Sequence, residues 1–238
     1  MTRERLAAIG VALEEIDAIL ITHEHVDHIR GLDILAGKMG IPVFANSSAV
    51  EALSDLIEST PKYKIFTTGE RFEFGDLEIH PFSIQHDAID PVAFTIRAEA
   101  QKIGICADLG FVTSLVAQYL MECDILYVEA NHQEEMVHAS PRPAVYKSRV
   151  LGRQGHLSNQ QCAQLLEQVW HKGLKHVYLA HLSSECNAPD LALKIVRDKL
   201  LNLQAVTEVS IAFQDTISAA LTWEKLESQQ PCVHGSRS

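Results

Sequence analysis

Short apolar runs alternate with longer stretches of helical period along this chain of 238 residues. Residues 16–22 (I-D-A-I-L-I-T) are a compact apolar run that ends in a polar cluster, the pattern of a buried strand. Residues 32–39 predict a helix stopped by Gly40 and 41–45 a strand, and Ser47 or Ser48 can cap a helix that runs to Leu56. From 64 to 98 the pattern shortens to strands, K-I-F-T-T, R-F-E-F-G-D-L-E-I and P-V-A-F-T-I-R, with Gly75-Asp76 as a hairpin signal. A strand is expected over 102–107, a helix over 113–121 and a strand over 124–128. Residues 159–170 predict a helix capped by Ser158, 176–180 a strand, 189–201 a helix and 209–213 the last strand.

No linker interrupts this order, so one domain is expected over 1–228, followed by a frayed polar tail over 229–238. Strands interleaved with helices predict an α/β (α+β) architecture of mixed sheets covered by helices. The apolar fraction, 47%, suffices for a buried core, and charge breaks every apolar stretch too early for a bilayer span. Arg3, Glu4 and Arg5 followed by Glu14, Glu15 and Asp17 do not make a signal peptide. Five scattered cysteines read as reduced thiols of a cytoplasmic protein. The formal charge of −11 speaks against a protein that coats nucleic acid through a broad basic surface. It leaves room for an enzyme that touches a few phosphates in a metal-lined cleft.

The twelve histidines change that picture, because of where they stand. The segment T-H-E-H-V-D-H, residues 22–28, follows directly on the first predicted strand. His23 and His25 are two apart and project from one side of an extended segment, and Asp27 and His28 follow where the chain turns. Desolvating these four groups together is costly without a cation. Three imidazoles and a carboxylate suit zinc, manganese or iron, and the lack of thiolates speaks against a structural zinc site. Further donors stand at later strand ends: His86 and Asp87 after L-E-I-H-P-F-S-I-Q, Asp108 after K-I-G-I-C-A, and His181 after V-Y-L-A. Two ions about 3.5–4 Å apart would clamp attacking and leaving oxygens and acidify a water between them.

With these residues in place, the chain resembles the metallo-β-lactamase superfamily, whose H-x-H-x-D-H signature stands here as His23, His25, Asp27 and His28. Its phosphodiesterase-like YycJ/WalJ branch is the nearest likeness. That rests on H-D-A-I-D-P-V-A-F (86–94), V-E-A-N-H (128–132), G-H-L-S-N (155–159) and L-A-H-L-S-S (179–184). The resemblance implies a four-layer αββα sandwich with a dinuclear site at one edge of the two sheets. It implies a first ion on His23, His25 and His86 and a second on Asp27, His28 and His181, with Asp108 between them. Asp27, Asp108, His156 and Glu129 are the implied catalytic residues. His156 would serve as general acid or phosphate donor, oriented by Glu129. Arg149, His156 and Asn159 are the implied substrate contacts, Arg149 as a two-pronged phosphate donor. Asn131 and His132 match a family pair, but Gln133 replaces an expected acid, which weakens any metal role for that loop. Asp90 and Pro91 are expected to shape a turn, and His80, His138, His171, His176 and His234 to be structural or solvated. Family members usually open with two strands and a D-A-G element before the helix that begins here near Thr2. Two strands of the first sheet are therefore expected to be missing, leaving an exposed edge.

What the resemblance implies is a cytoplasmic, metal-dependent phosphodiesterase, most concretely an exonuclease on DNA or RNA. Its cofactors would be two divalent ions, zinc or manganese, and nucleic acid its substrate partner, with no membrane association and with homo-oligomerisation open. A thioester or lactam hydrolase on the same scaffold is the alternative, and G-H-L-S-N with Arg149 favours phosphate over an acyl carbonyl. A non-catalytic accessory protein is the third reading. Asp27 with His25 disfavours the diiron oxidoreductases, which carry an acid at the position of His25.

Overall fold

The computed structural model describes residues 2–218 and 220–222, so the expected tail at 229–238, Cys232 and His234 lie outside the described residues. Helix α1 (Thr2–Ala8) and a 3-10 turn (Leu13–Glu15) lead into strand β1 (Ile19–Leu20), helix α2 (Val26–Ile29) and a π-helical turn (Asp33–Lys38). Strand β2 (Val43–Asn46), helix α3 (Ser47–Leu56) and strand β3 (Tyr63–Phe66) complete a first, parallel sheet in the order β1-β2-β3.

The second sheet starts with β4 (Phe72–Phe74), β5 (Leu77–Ser83), β6 (Val92–Ala98) and β7 (Gln101–Cys106), all antiparallel. Gly75, at φ +62°, turns the β4–β5 hairpin in a conformation that suits glycine. Helix α4 (Ser114–Leu120), β8 (Ile125–Glu129), α5 (Glu134–Ala139), α6 (Ala144–Val150), α7 (Asn159–Val169), β9 (His176–Ala180), α8 (Pro189–Asn202) and β10 (Glu208–Ile211) follow. From β7 to β10 the sheet is parallel, giving the order β10-β9-β8-β7-β6-β5-β4.

Strand alternation sorts the side chains into layers. On β2, Val43 and Ala45 pack with Ile29, Leu32 and Leu53 of the helical side, while Phe44 points the other way. Phe44 and Phe66 of the small sheet meet Ile79, Val92 and Phe94 of the large one. The rings of Phe44 and Phe72 stack at 5.3 Å there, and those of Phe66 and Phe94 meet edge to face at 5.8 Å. On the outer face of the large sheet, Phe82, Leu126, Val177 and Leu179 pack against Val116, Leu120, Cys162 and Val196 of the helices. The layers run helix, sheet, sheet, helix, the expected αββα sandwich. No helix among the described residues is long and apolar enough to cross a membrane.

Three local expectations change. Only Ile19–Leu20 of the run 16–22 forms strand, because the chain then crosses between sheets: the Ile21 N–H donates to Phe44, and the Thr22 carbonyl accepts from Val92. Helix α3 is capped by Asn46, whose Oδ1 accepts from the Ala49 N–H at 2.8 Å, and not by Ser47 or Ser48. The stretch 32–39 closes as a π-turn before Gly40, at φ +75°. Helices α5 and α6, of six and seven residues, were not foreseen.

Candidate metal centre

The crossing at Thr22 sets His23 at the seam of the two sheets. His23 is fully buried, with Nδ1 3.1 Å from the Thr22 hydroxyl. The same hydroxyl lies 3.2 Å from Nδ1 of His28, on α2, so its two lone pairs can accept both Nδ1–H groups and leave both Nε2 atoms bare. His28 Nε2 points at Asp108 Oδ2, 2.9 Å away. His86 donates Nδ1–H to the Gly155 carbonyl at 3.1 Å, which turns its Nε2 lone pair toward His25 Nδ1 at 3.3 Å.

Donor atoms of His23, His25 and His86 all lie within 4.8 Å of one another, and so do those of Asp27, His28 and His181. Asp108 groups with His23 and His28 and also with His181, so it stands between the two triads. Asp108 and His181 stand just past the ends of β7 and β9, at φ +57° and +54°. Aspartate and histidine tolerate the left-handed region better than most residues, but it is a strained place to hold both donors.

Glu129, at the end of β8, ties this arrangement together. It is completely buried, and its Oε2 accepts the N–H groups of Leu109 (2.7 Å) and Leu157 (3.1 Å). Its Oε1 accepts Nδ1–H from His156 (2.8 Å) and from His181 (2.7 Å). Burial works to raise its pKa, but the bonds from His156 and His181 outweigh it and hold the carboxyl below its ordinary value. For Asp108 too, burial is outweighed, by the His28 imidazole 2.9 Å from Oδ2 and by the neighbouring imidazoles. The His181 imidazole, with Nε2 3.8 Å from Oδ2, holds Asp27 below the usual carboxylate range against its partial burial. Burial, then His28, pushes the His23 imidazole down to about 3, and burial lowers His86 as well. Burial works to lower His181, but the carboxylates of Asp27 and Glu129 on its two nitrogens overcome it and raise it to about 11.

The neutral imidazoles of His23 and His86 beside the ionised Asp27 and Asp108 are in the protonation states that ligate a cation, while His181 gives up its Nε2 proton on binding one. The fit has a direct sign: His23 Nε2 is buried and has no hydrogen-bond partner. An orphaned lone pair there is costly unless it is given to a metal.

A cavity of about 640 Å³ opens beside the cluster, its walls including Asp27, His28, His156 and His181 together with Tyr146 and Arg149. Arg149 reaches the cavity but is ion-paired through Nε with Asp87 Oδ2. The structure does not bring Asn159 there: its fully buried amide donates to Asn187 Oδ1 (2.9 Å) and Gln133 Oε1 (3.3 Å), which corrects its expected substrate contact. Asn131 donates to the His181 carbonyl at 2.7 Å, a structural part for the Asn131-His132 loop. Asp90 does shape its turn, accepting from Thr68 and, through its carbonyl, from Asn46. His80, His171 and His176 are bonded within the scaffold, to Gly69, Cys123 and Ser210.

Reading the sequence missed Thr22 and Asn187. Thr22 immediately precedes the histidine motif, which was its only signal; Asn187, which braces the Ala130 and Asn131 carbonyls, carries none.

Residues 2–182 match the family described as Beta-lactamase superfamily domain. The chain belongs to the beta-lactamase superfamily. Within it, the chain is 35% identical over 182 residues to exodeoxyribonuclease YycJ of Bacillus anthracis, covering 76% of this chain and 69% of the relative. It is 33% identical over 216 residues to exodeoxyribonuclease WalJ of Streptococcus pneumoniae, covering 89% and 80%. The fold matches the metallo-β-lactamase fold protein YhfI from Bacillus subtilis with a TM-score of 0.64 at 19% identity, over 86% of this chain and 78% of that one. This superfamily member is a metallo-β-lactamase-fold hydrolase, and the fold implies that it binds divalent metal.

Proposed function

We propose that this chain is a metal-dependent exonuclease that releases nucleotides from DNA ends. The observation that carries the reading is the arrangement around Glu129 and Asp108: two donor triads with a carboxylate between them, and an oriented, non-ligating imidazole beside them. The two relatives named exodeoxyribonucleases support the choice of DNA.

His23, His25 and His86 would hold one ion and Asp27, His28 and His181 a second, with Asp108 shared. Two such ions, zinc or manganese, supply Lewis acidity toward a phosphoryl group and toward water. Glu129 holds one proton of His156 on Nδ1, so in the imidazolium form the second proton, on Nε2, is the one delivered to the leaving oxygen, and the ring is left neutral. The same carboxylate pins Nδ1–H of His181 and aims its Nε2 toward Asp27 Oδ2, 3.8 Å away. Arg149 donates to a phosphate oxygen after exchanging its exposed pairing with Asp87, which costs little.

The test is nucleotide release from end-labelled single- and double-stranded DNA and RNA with zinc or manganese, His23→Ala serving as control. Release from DNA that requires both metal and His23 is the expected result. A folded, metal-loaded chain that releases nothing overturns the reading in favour of acyl-group hydrolysis.

A further inference from the structure

The charge of the chain is unevenly laid out. Acids outnumber bases 31 to 20, yet between Glu135 and Glu167 there is no Asp or Glu, while Arg142, Lys147, Arg149 and Arg153 all fall in that interval. The interval contains α6, whose Ala144, Val145, Ser148 and Arg149 are exposed and whose Tyr146, Arg149 and Val150 wall the catalytic cavity. The basic stretch is therefore continuous with the mouth of the metal centre.

None of the four cations is spent inside the core. Arg142 and Arg149 keep about half of their side-chain surface in solvent, 48% and 56%, while pairing with Glu185 and Asp87. Exposed pairs of this kind are worth about 0–1 kcal/mol, so a phosphate can take the place of the carboxylate. Lys147 donates Nζ–H to the His138 carbonyl at 2.6 Å, and Arg153 lies 4.0 Å over the Phe111 ring. Neither partner cancels the charge.

From this placement we infer that the surface carrying Arg142, Lys147 and Arg153 is the track on which the phosphate backbone of a polynucleotide lies as its end enters the cavity. The inference rests on the nuclease reading for its substrate class. It also resolves how a chain of charge −11 holds a polyanion: through one local strip beside the centre.

The experiment compares the parent with the triple variant Arg142→Gln, Lys147→Gln, Arg153→Gln. Binding of a fluorescein-labelled single-stranded DNA 30-mer is followed by anisotropy across a salt series, in chelator so that no cleavage intervenes. Hydrolysis of bis(p-nitrophenyl) phosphate, a diester too small to reach the strip, is measured with metal. Loss of three phosphate contacts should weaken DNA binding about tenfold or more near 0.1 M salt and flatten the plot of log K against log salt by about 2. The rate on the small diester should stay within about twofold of the parent, as the strip is outside the chemistry. If the triple variant does not fold, Lys147→Gln and Arg153→Gln alone should each flatten the slope by about 0.7. Unchanged affinity and salt slope overturn the track. A metal-loaded parent that neither hydrolyses the small diester nor releases nucleotides from DNA refutes the nuclease reading, while the anisotropy still decides the track.

Discussion

Replacing Glu129 by Gln tests the centre at its most constrained point. The carboxylate accepts four donors, the Leu109 and Leu157 N–H groups on one oxygen and the His156 and His181 Nδ1–H groups on the other. A glutamine is nearly the same shape but keeps a single oxygen. Whichever way its amide turns, its own N–H₂ faces one pair of donors and strands them. Each stranded buried donor costs about 1–3 kcal/mol, so the pair costs about 2–6. Breaking a buried charged pair costs a comparable 3–5 or so. Against a total stability of about 5–15 kcal/mol that is a large fraction. Urea denaturation of the metal-free protein should show it as a midpoint about 1–3 M lower at unchanged m, taking m as about 2–3 kcal/mol/M. With metal restored, nucleotide release should fall about 100-fold or more, because His156 loses the partner that keeps its proton on Nδ1. A midpoint and a rate both indistinguishable from the parent would refute the role given to Glu129.

Five further outcomes are expected. In Gly155→Ala the new Cβ would sit 2.1 Å from the Arg149 carbonyl oxygen and 2.2 Å from that of Val150, so the loop must shift and withdraw the carbonyl that orients His86. Its metal content, read by elemental analysis, should drop even in the fraction that folds. Asn46→Ala removes the α3 cap and the side-chain bond to the Asp90 carbonyl, and chemical denaturation should show a loss of about 2 kcal/mol. Chelation should lower the thermal midpoint by several degrees and added metal should restore it, because ions that bind only the folded chain stabilise it by mass action. By elemental analysis Asp108→Ala should bind less metal and His156→Ala the normal amount; full metal content in Asp108→Ala would remove the shared-carboxylate assignment. Cys106, Cys123 and Cys162 are buried and their thiols pushed far up by burial, so alkylation should reach them only on unfolding.

Much of the scaffold was legible because its signals are local. The strand at His176–Ala180, the Ser158 cap of α7, and the Gly75-Asp76 hairpin each depend on residues within a few positions of one another. Edges were less legible. The run 16–22 is apolar enough for a full strand, but the hydrogen bonds that end it come from Phe44 and Val92, and no window around Thr22 contains them. Polar side chains were harder still. Asn159 belongs to a motif that invites a functional reading, yet Asn187, 28 residues away, takes its amide.

What the chain determined by itself is its chemistry: which residue types stand at strand ends, and that so many imidazoles and carboxylates need a cation. Hydrophobic alternation determined the layers, since period two on a strand assigns each side chain to a face without knowledge of the partner. Tertiary structure alone decided how the donors are held. The Thr22 hydroxyl reaches two histidines, the Gly155 carbonyl sets the tautomer of His86, and Glu129 grips His156 and His181 together. It also decided that Arg149 faces the cavity already paired with Asp87. The reason is physical. A hydrogen bond depends on distances of a few tenths of an ångström between groups far apart in sequence, and only the packing of the two sheets sets them.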